Sequence, residues 1–213
     1  MKISYAILTH NEGEYLKDLF PFLIENIGEG DEIVVVDDYS TDTLTIEVLD
    51  QYKDHIKLYY REFDGDHTQK NFLNSKCVGD YIFQLDADEI VKPEFIAALP
   101  EILHANPEVE LYYVPRINKV TNLTDDYVKK WGWRVNDRGW VNYPDYQMRI
   151  YKNSAHIQWD GLLHSVIKGH KSHVALPQEE LFSMIHLKSL DRQIQQNDLY
   201  DKIEANGRKK YKL

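Results

Sequence analysis

Cysteine is almost missing from this 213-residue chain, and the lone Cys77 excludes an internal disulfide framework. A single thiol of this kind reads as a small buried side chain in a reducing compartment. Long apolar runs are also missing. Nothing approaches the roughly 20 residues of a membrane span. The apolar start Met1 to Leu8 is cut short by Thr9, His10, Asn11 and Glu12 before a signal-peptide core can form, so a soluble cytoplasmic protein is expected. The Asn122-Leu123-Thr124 sequon carries no meaning in a chain that is not secreted. Positive charge is scarce: 25 Lys and Arg against 35 Asp and Glu give a formal charge of −10, which excludes a tight nonspecific nucleic-acid binder. A glycine-rich dinucleotide loop is absent too, which counts against nicotinamide and flavin chemistry.

What is present is a regular alternation. Strands are expected at 3–8, 32–36, 56–60, 81–85 and 111–116, and helices at 12–27, 43–52, 69–77 and 93–103, from short apolar runs separated by amphipathic stretches and turn residues. Ser40, Thr41 and Asp42 are candidate caps for the second helix. This rhythm predicts an α/β fold with a mostly parallel sheet and crossover helices. From Tyr127 to Trp159 the pattern breaks into an aromatic-dense stretch with Trp131, Trp133, Trp140, Tyr143, Tyr146, Tyr151 and Trp159, expected as irregular structure packed on the sheet. The section 181–203 has a helical look, and 204–213 is a basic tail.

Three expected strand ends carry polar groups: Thr9 with Asn11 and Glu12, Asp37 with Asp38, and Asp86 with Asp88. Ligands of open α/β sheets bind beyond the carboxyl ends of the strands, so these groups can converge on one molecule. Carboxylates that accept from a base and ribose, beside a cation that bridges a diphosphate, make a nucleotide site without a glycine loop.

The motifs are specific. Ala6-Ile7-Leu8-Thr9-His10-Asn11-Glu12, Val34-Val35-Val36-Asp37-Asp38-Tyr39-Ser40-Thr41-Asp42 and Gly79-Asp80-Tyr81-Ile82-Phe83-Gln84-Leu85-Asp86-Ala87-Asp88-Glu89 resemble, in order, the opening strand, the second motif and the metal-binding Asp-x-Asp of family 2 glycosyltransferases with the GT-A fold. Tyr143 to Tyr151, Gly161 to His164 and Ile185 to Lys188 resemble a bacterial and phage branch related to lipopolysaccharide-core transferases, so the likeness covers about residues 1–203. It implies a single GT-A (Rossmann-like) domain, with 1–116 the nucleotide-sugar half and 117–203 the acceptor half.

Carried over by resemblance, Thr9 and Asp38 contact the nucleobase, with Asn11 and Glu12 at the same pocket. Lys70 lies near the diphosphate, Asp86 meets ribose and metal, and Asp88 is the principal metal ligand, with His186 first and His164 second as a further ligand. Such a set suits Mn²⁺ or Mg²⁺ rather than Zn²⁺. The implied reaction is an inverting, metal-dependent transfer from a nucleotide sugar, a UDP-sugar being the leading donor, to the hydroxyl of a glycan, a lipid-linked saccharide or a modified nucleobase. A nucleic-acid acceptor is the least favoured of these.

Asp145 is the expected base, and Arg149, four residues on, could pair with it if the segment is helical. The branch commonly has Glu after the His of its Gly161 to His164 segment, and this chain has Ser165, so Asp160 or Asp145 must supply the carboxylate. The rival readings are a nucleotidyltransferase, for which Thr9 to Tyr15 offers only Gly13 as a phosphate loop, and a non-catalytic nucleotide or sugar binder.

Overall fold

The computed structural model describes residues 1–161, 165–195 and 197–198. In chain order the elements are β1 (Ile3–Thr9), α1 (Gly13–Asn26), β2 (Glu32–Asp37), α2 (Thr43–Gln51), β3 (Lys57–Tyr60), α3 (Asp66–Asn74), β4 (Tyr81–Asp86) and β5 (Glu89–Ile90). There follow α4 (Pro93–Ala105), β6 (Leu111–Thr121), α5 (Asp125–Trp131), β7 (Val141–Lys152), β8 (Gln158–Asp160), β9 (Val166–Lys168), β10 (His173–Ala175) and β11 (Met184–Ser189). Residues 190–195 and 197–198 are helical. Among the described residues no helix is long and apolar enough to cross a membrane.

One sheet runs β3-β2-β1-β4-β7-β6-β11-β5, with β10 beside β6. The first four strands in that order are parallel, and β7 enters antiparallel between β4 and β6. Parallel strands covered on both faces need apolar residues on both sides, and β1 shows this period. Tyr5 and Ile7 face one core with Leu16, Phe20 and Leu23 of α1, while Ala6 joins Val34, Val36, Ile82 and Trp159 in the other. The spacing of Leu16, Leu19, Phe20 and Leu23 puts one stripe of α1 on the sheet. The helix starts at glycine for a steric reason: a Cβ on Gly13 would lie 2.5 Å from the backbone nitrogen of Thr45. That close approach lets the Gly13 N–H donate to Thr45 Oγ1 at 2.6 Å and fixes where Glu12 sits. Asp42, among the expected caps, accepts from the Thr45 N–H at 2.9 Å and starts α2.

Two expectations fail in the second half. The aromatic stretch contains α5 and the twelve-residue strand β7, so Asp145 and Arg149 lie on a strand and not on a helix. Four residues along a strand are about 13 Å apart, which forbids their pairing. Each instead finds a partner across the sheet. The region 181–203 likewise departs from a continuous helix: a 3-10 turn over Glu180–Phe182 leads into β11, where Met184, His186 and Lys188 are buried at period two, and the α-helix starts only after Ser189.

Candidate active site

The carboxyl ends of β1, β2 and β4 open, as the sequence suggested, on one cavity of about 1300 Å³ that extends past β7, β6 and β11. Thr9, Glu12, Asp38, Lys70, Asp86, Asp88, Asp145 and His186 all line it. Asn11, Asp160 and His164 do not join them. Asn11 takes a positive φ of 56° and uses its side-chain oxygen to accept from the N–H groups of Thr41 and Asp42, which ties the two loops together outside the cavity. Asp160 is exposed on β8 and pairs with Lys168. His164 lies outside the described residues.

At the β1 and β2 end, the Asp38 N–H donates to the Thr9 carbonyl at 2.9 Å, continuing the parallel ladder by one residue. The Asp38 carboxylate accepts from the Phe63 N–H at 2.8 Å, which aims it along the cavity wall. Asp37, by contrast, is buried and accepts from the Ser40 N–H at 3.0 Å, a loop-holding role. Thr9 Oγ1 is buried without a hydrogen-bond partner. A buried hydroxyl that faces a cavity and lacks a partner is a place for a bound polar group.

The centre is an alternating chain of charges. Arg149, 5% exposed, holds Asp86 with its guanidinium and donates to Glu89 Oε1 at 2.8 Å. Arg116 joins the same Glu89 oxygen at 3.2 Å to Asp145, to which it donates from Nε and Nη2 at 2.9 and 2.7 Å. Asn118 and Gln147 complete the ring of donors around Asp145 at 2.9 and 2.7 Å. Burial works against ionisation of Asp86 and of Asp145, but the Arg149 charge at the first and the Arg116 charge at the second outweigh it and hold both carboxyls below their ordinary value. Both are therefore anions at neutral pH.

Asn118 also settles the state of His186. Its amide nitrogen is committed to Asp145, so its oxygen must be the atom that faces His186 Nδ1 at 2.9 Å. Nδ1 then carries the ring proton, and the Nε2 lone pair points at Asp88 Oδ2, 3.2 Å away. Two acceptors at that distance require a positive charge between or upon them, either a second ring proton or a metal ion. The imidazole and carboxylate form the donor pair that an Mn²⁺ or Mg²⁺ site would use, with the ring braced from behind by an amide oxygen. Among the described residues no three His, Cys, Asp or Glu side chains close around one point, so an ion held here would take further ligands from a bound phosphate or water.

Further cations line the cavity. Lys70 lies 4.3 Å above the Trp159 ring, held by Asp66 at 2.9 Å and Ser165 Oγ at 3.2 Å, and its charge helps keep Asp86 ionised. Arg192 stacks over Tyr15 at 4.5 Å, donates to Glu12 at 2.6 Å and lies 3.6 Å from Asp88. Glu12 is pushed up to about 7, first by burial and then by the charge of Asp88, against the pull of Arg192. Arg192, Arg116, Asn118 and Glu89 were not anticipated, and Arg149 was named only as a partner for Asp145, whereas it holds Asp86 and Glu89. Glu89 stood in the acidic run, but its burial beneath two arginines has no local signal; the others are joined to the site only by sheet order.

A mostly parallel sheet with helices on both faces and an acidic crevice beyond its strand ends is the GT-A architecture. The same fold occurs in the S. aureus TarS 1-349 structure in complex with UDP-GlcNAc, with a TM-score of 0.62, 17% identity, and cover of 88% of this chain and 59% of that one. At that identity the likeness is one of fold. In sequence, the chain is 33% identical over 119 residues to the lipopolysaccharide core biosynthesis glycosyltransferase LpsC of Rhizobium meliloti, covering 54% of this chain and 42% of LpsC. It is 32% identical over 101 residues to the glycosyltransferase GlyG of Streptococcus pneumoniae, covering 46% of this chain and 33% of GlyG. The chain thus spans less than half the length of these curated relatives. Residues 4–162 match the model of glycosyl transferase family 2, and the chain belongs to that family.

Proposed function

We propose that this chain transfers a glycosyl group from a nucleotide sugar to an acceptor hydroxyl, with inversion and with the help of a divalent cation. The observation that supports the metal-dependent form is the Asp88–His186 pair, in which the imidazole, braced at Nδ1 by Asn118, brings its Nε2 to 3.2 Å from the Asp88 carboxylate, a donor pair that fits a divalent cation. Thr9 and Asp38 take the nucleobase end, with Glu12 further along the same wall, and Asp86 takes the ribose, leaving Asp88 and His186 for the metal. Lys70 lies on the diphosphate side. Mn²⁺ or Mg²⁺ on Asp88 and His186 would supply positive charge to the departing diphosphate. A UDP-sugar is the first donor to test, the class of ligand held by TarS.

Of the two carboxylates offered as base, Asp145 lines the cavity and Asp160 does not. Its ring of donors keeps Asp145 ionised and aimed, ready to accept the acceptor's proton, although it is a weaker base for having so many partners. A cytoplasmic setting belongs to the same proposal.

Thermal unfolding with UDP-, GDP-, dTDP- and CMP-sugars, each with and without Mn²⁺, tests it, because a ligand that binds only the folded state raises the melting temperature. One nucleotide should stabilise the protein in a Mn²⁺-dependent way, and Asp88→Asn should abolish the Mn²⁺ dependence. No shift with any nucleotide would overturn the proposal.

A further inference from the structure

The cavity has room for more than the donor it is proposed to hold. Its lining runs from Asp38 after β2 to His186 and Lys188 on β11, five steps apart in the strand order, about 24 Å at the usual strand spacing. Its volume of about 1300 Å³ exceeds the roughly 300–1,000 Å³ of a pocket for one small molecule. Its lining also takes in Trp131 of α5, Trp133, Val120 near the end of β6, and Val141 and Asn142 at the start of β7.

This end is built differently from the donor end. The described residues of α5 include none that is buried, and Trp131 keeps 47% of its surface exposed although it lines the cavity. An indole in that position contributes little to the core. Trp131 and Trp133 are nonetheless fixed in place, because both pack on the ring of Tyr127, at 6.0 and 5.2 Å, and the Tyr127 hydroxyl accepts from Asn197 at 3.0 Å. Beside the two indoles the lining sets polar Lys119, Asn142 and Asn197 among the small apolar side chains of Val120 and Val141. Rigid aromatic faces beside amide and ammonium donors match a ring with an apolar C–H face and a hydroxyl rim, which is a sugar. A lipid tail would want a continuous apolar wall, and a nucleic-acid strand would meet a chain of charge −10.

We propose that the acceptor is an oligosaccharide, its terminal sugar presenting a hydroxyl at Asp145 and a following sugar stacked on Trp131 and Trp133. This rests on the transferase reading above and names the acceptor class of the same site. The platform sets acceptor length: a monosaccharide reaches Asp145 without touching the indoles, whereas a chain of two or more sugars spans both.

The test is binding to an array of immobilised mono- to hexasaccharides in the presence of UDP and Mn²⁺, with wild type, Trp131→Ala and Trp133→Ala, and the nucleotide melting panel run on each protein. Trp131 is exposed and its helix unburied, so its loss leaves the fold intact. Wild type should bind one group of oligosaccharides at least tenfold better than the matching monosaccharides, and each variant should lose that tenfold. Equal binding by wild type and both variants would overturn the platform. A nucleotide shift with no saccharide bound would overturn the acceptor class while leaving the donor site standing. The absence of any nucleotide shift would remove the transferase reading, and this proposal with it.

Discussion

Glu12→Gln should reverse a pH-dependent weakness of the protein. Glu12 sits just before α1, half-buried beside Asp88 and Asp86, and its carboxyl is pushed up to about 7 from an ordinary 4.5. Burial is the larger cause and the charge of Asp88 the next, while Arg192 offsets part of both. Between those two values the native state keeps a proton that the unfolded chain has released, so stability falls as pH rises through the interval. The favourable contribution is complete below 4.5 and gone above about 7. The gap between 4.5 and about 7 corresponds to about 3 kcal/mol. Glutamine has no proton to lose, so the variant escapes this decline. For a domain of this length about 3 kcal/mol is roughly 6–12 °C in melting temperature. Thermal unfolding of both proteins in EDTA, in steps from pH 5 to pH 8.5, should show the variant gaining on wild type by that amount as pH rises, with most of the gain between pH 5 and pH 7. A difference that stays constant across the range would refute the reasoning, since it would mean that Glu12 is not held protonated by its surroundings.

Arg149→Met keeps much of the side chain's bulk but leaves Asp86 and the buried Glu89 without their shared partner, and should cost about 3–5 kcal/mol in urea unfolding. Asp145→Asn should lower turnover by roughly 10²–10⁴ with little change in donor affinity, read from initial rates and from nucleotide titration. Arg192→Gln removes the cation 3.6 Å from Asp88, so Mn²⁺ binding without nucleotide, followed by the loss of the free-ion paramagnetic signal, should tighten by about tenfold. Unchanged Mn²⁺ affinity would show that Arg192 does not compete with the ion.

The first ninety residues were legible because their signals are local. A buried parallel strand is a continuous apolar run, and Ile3 to Leu8, Glu32 to Val36 and Tyr81 to Leu85 each read as strand to within a residue of the observed end. The polar groups after them converge because parallel strands with right-handed crossovers must end on one edge. Asn11 shows the limit of that logic: it follows β1, yet its amide is used to clasp the loop before α2. The second half was hidden because β7 carries Asn142, Pro144, Asp145, Gln147 and Arg149 within one strand, which breaks the apolar pattern. These polar residues are tolerated there because the sheet supplies partners that sequence spacing cannot reveal.

That second half is where the chemistry is joined together. From Asp86 the contacts run through Arg149 to Glu89, through Arg116 to Asp145, and through Asn118 to His186 and Asp88. The path leaves the end of β4, crosses β7, β6 and β11, and returns to the loop after β4, so the two aspartates of the acidic motif are tied together by the far side of the cavity as well as by one peptide turn. As far as His186 each joint alternates in charge or in donor and acceptor role, so a change at any of these members leaves a neighbour with an uncompensated group. The Asn118 amide is the joint that reports this most directly, since one end of it serves the carboxylate on the acceptor side and the other sets the proton on His186. Asn118→Leu should therefore disturb both ends at once, weakening Mn²⁺ binding and acceptor turnover together. The double variant Asn118→Leu with Asp145→Asn should lose less turnover than the sum of its parts, because the two residues act through one hydrogen bond. Strictly additive losses would mean that the donor and acceptor ends of the cavity work independently of this chain of contacts.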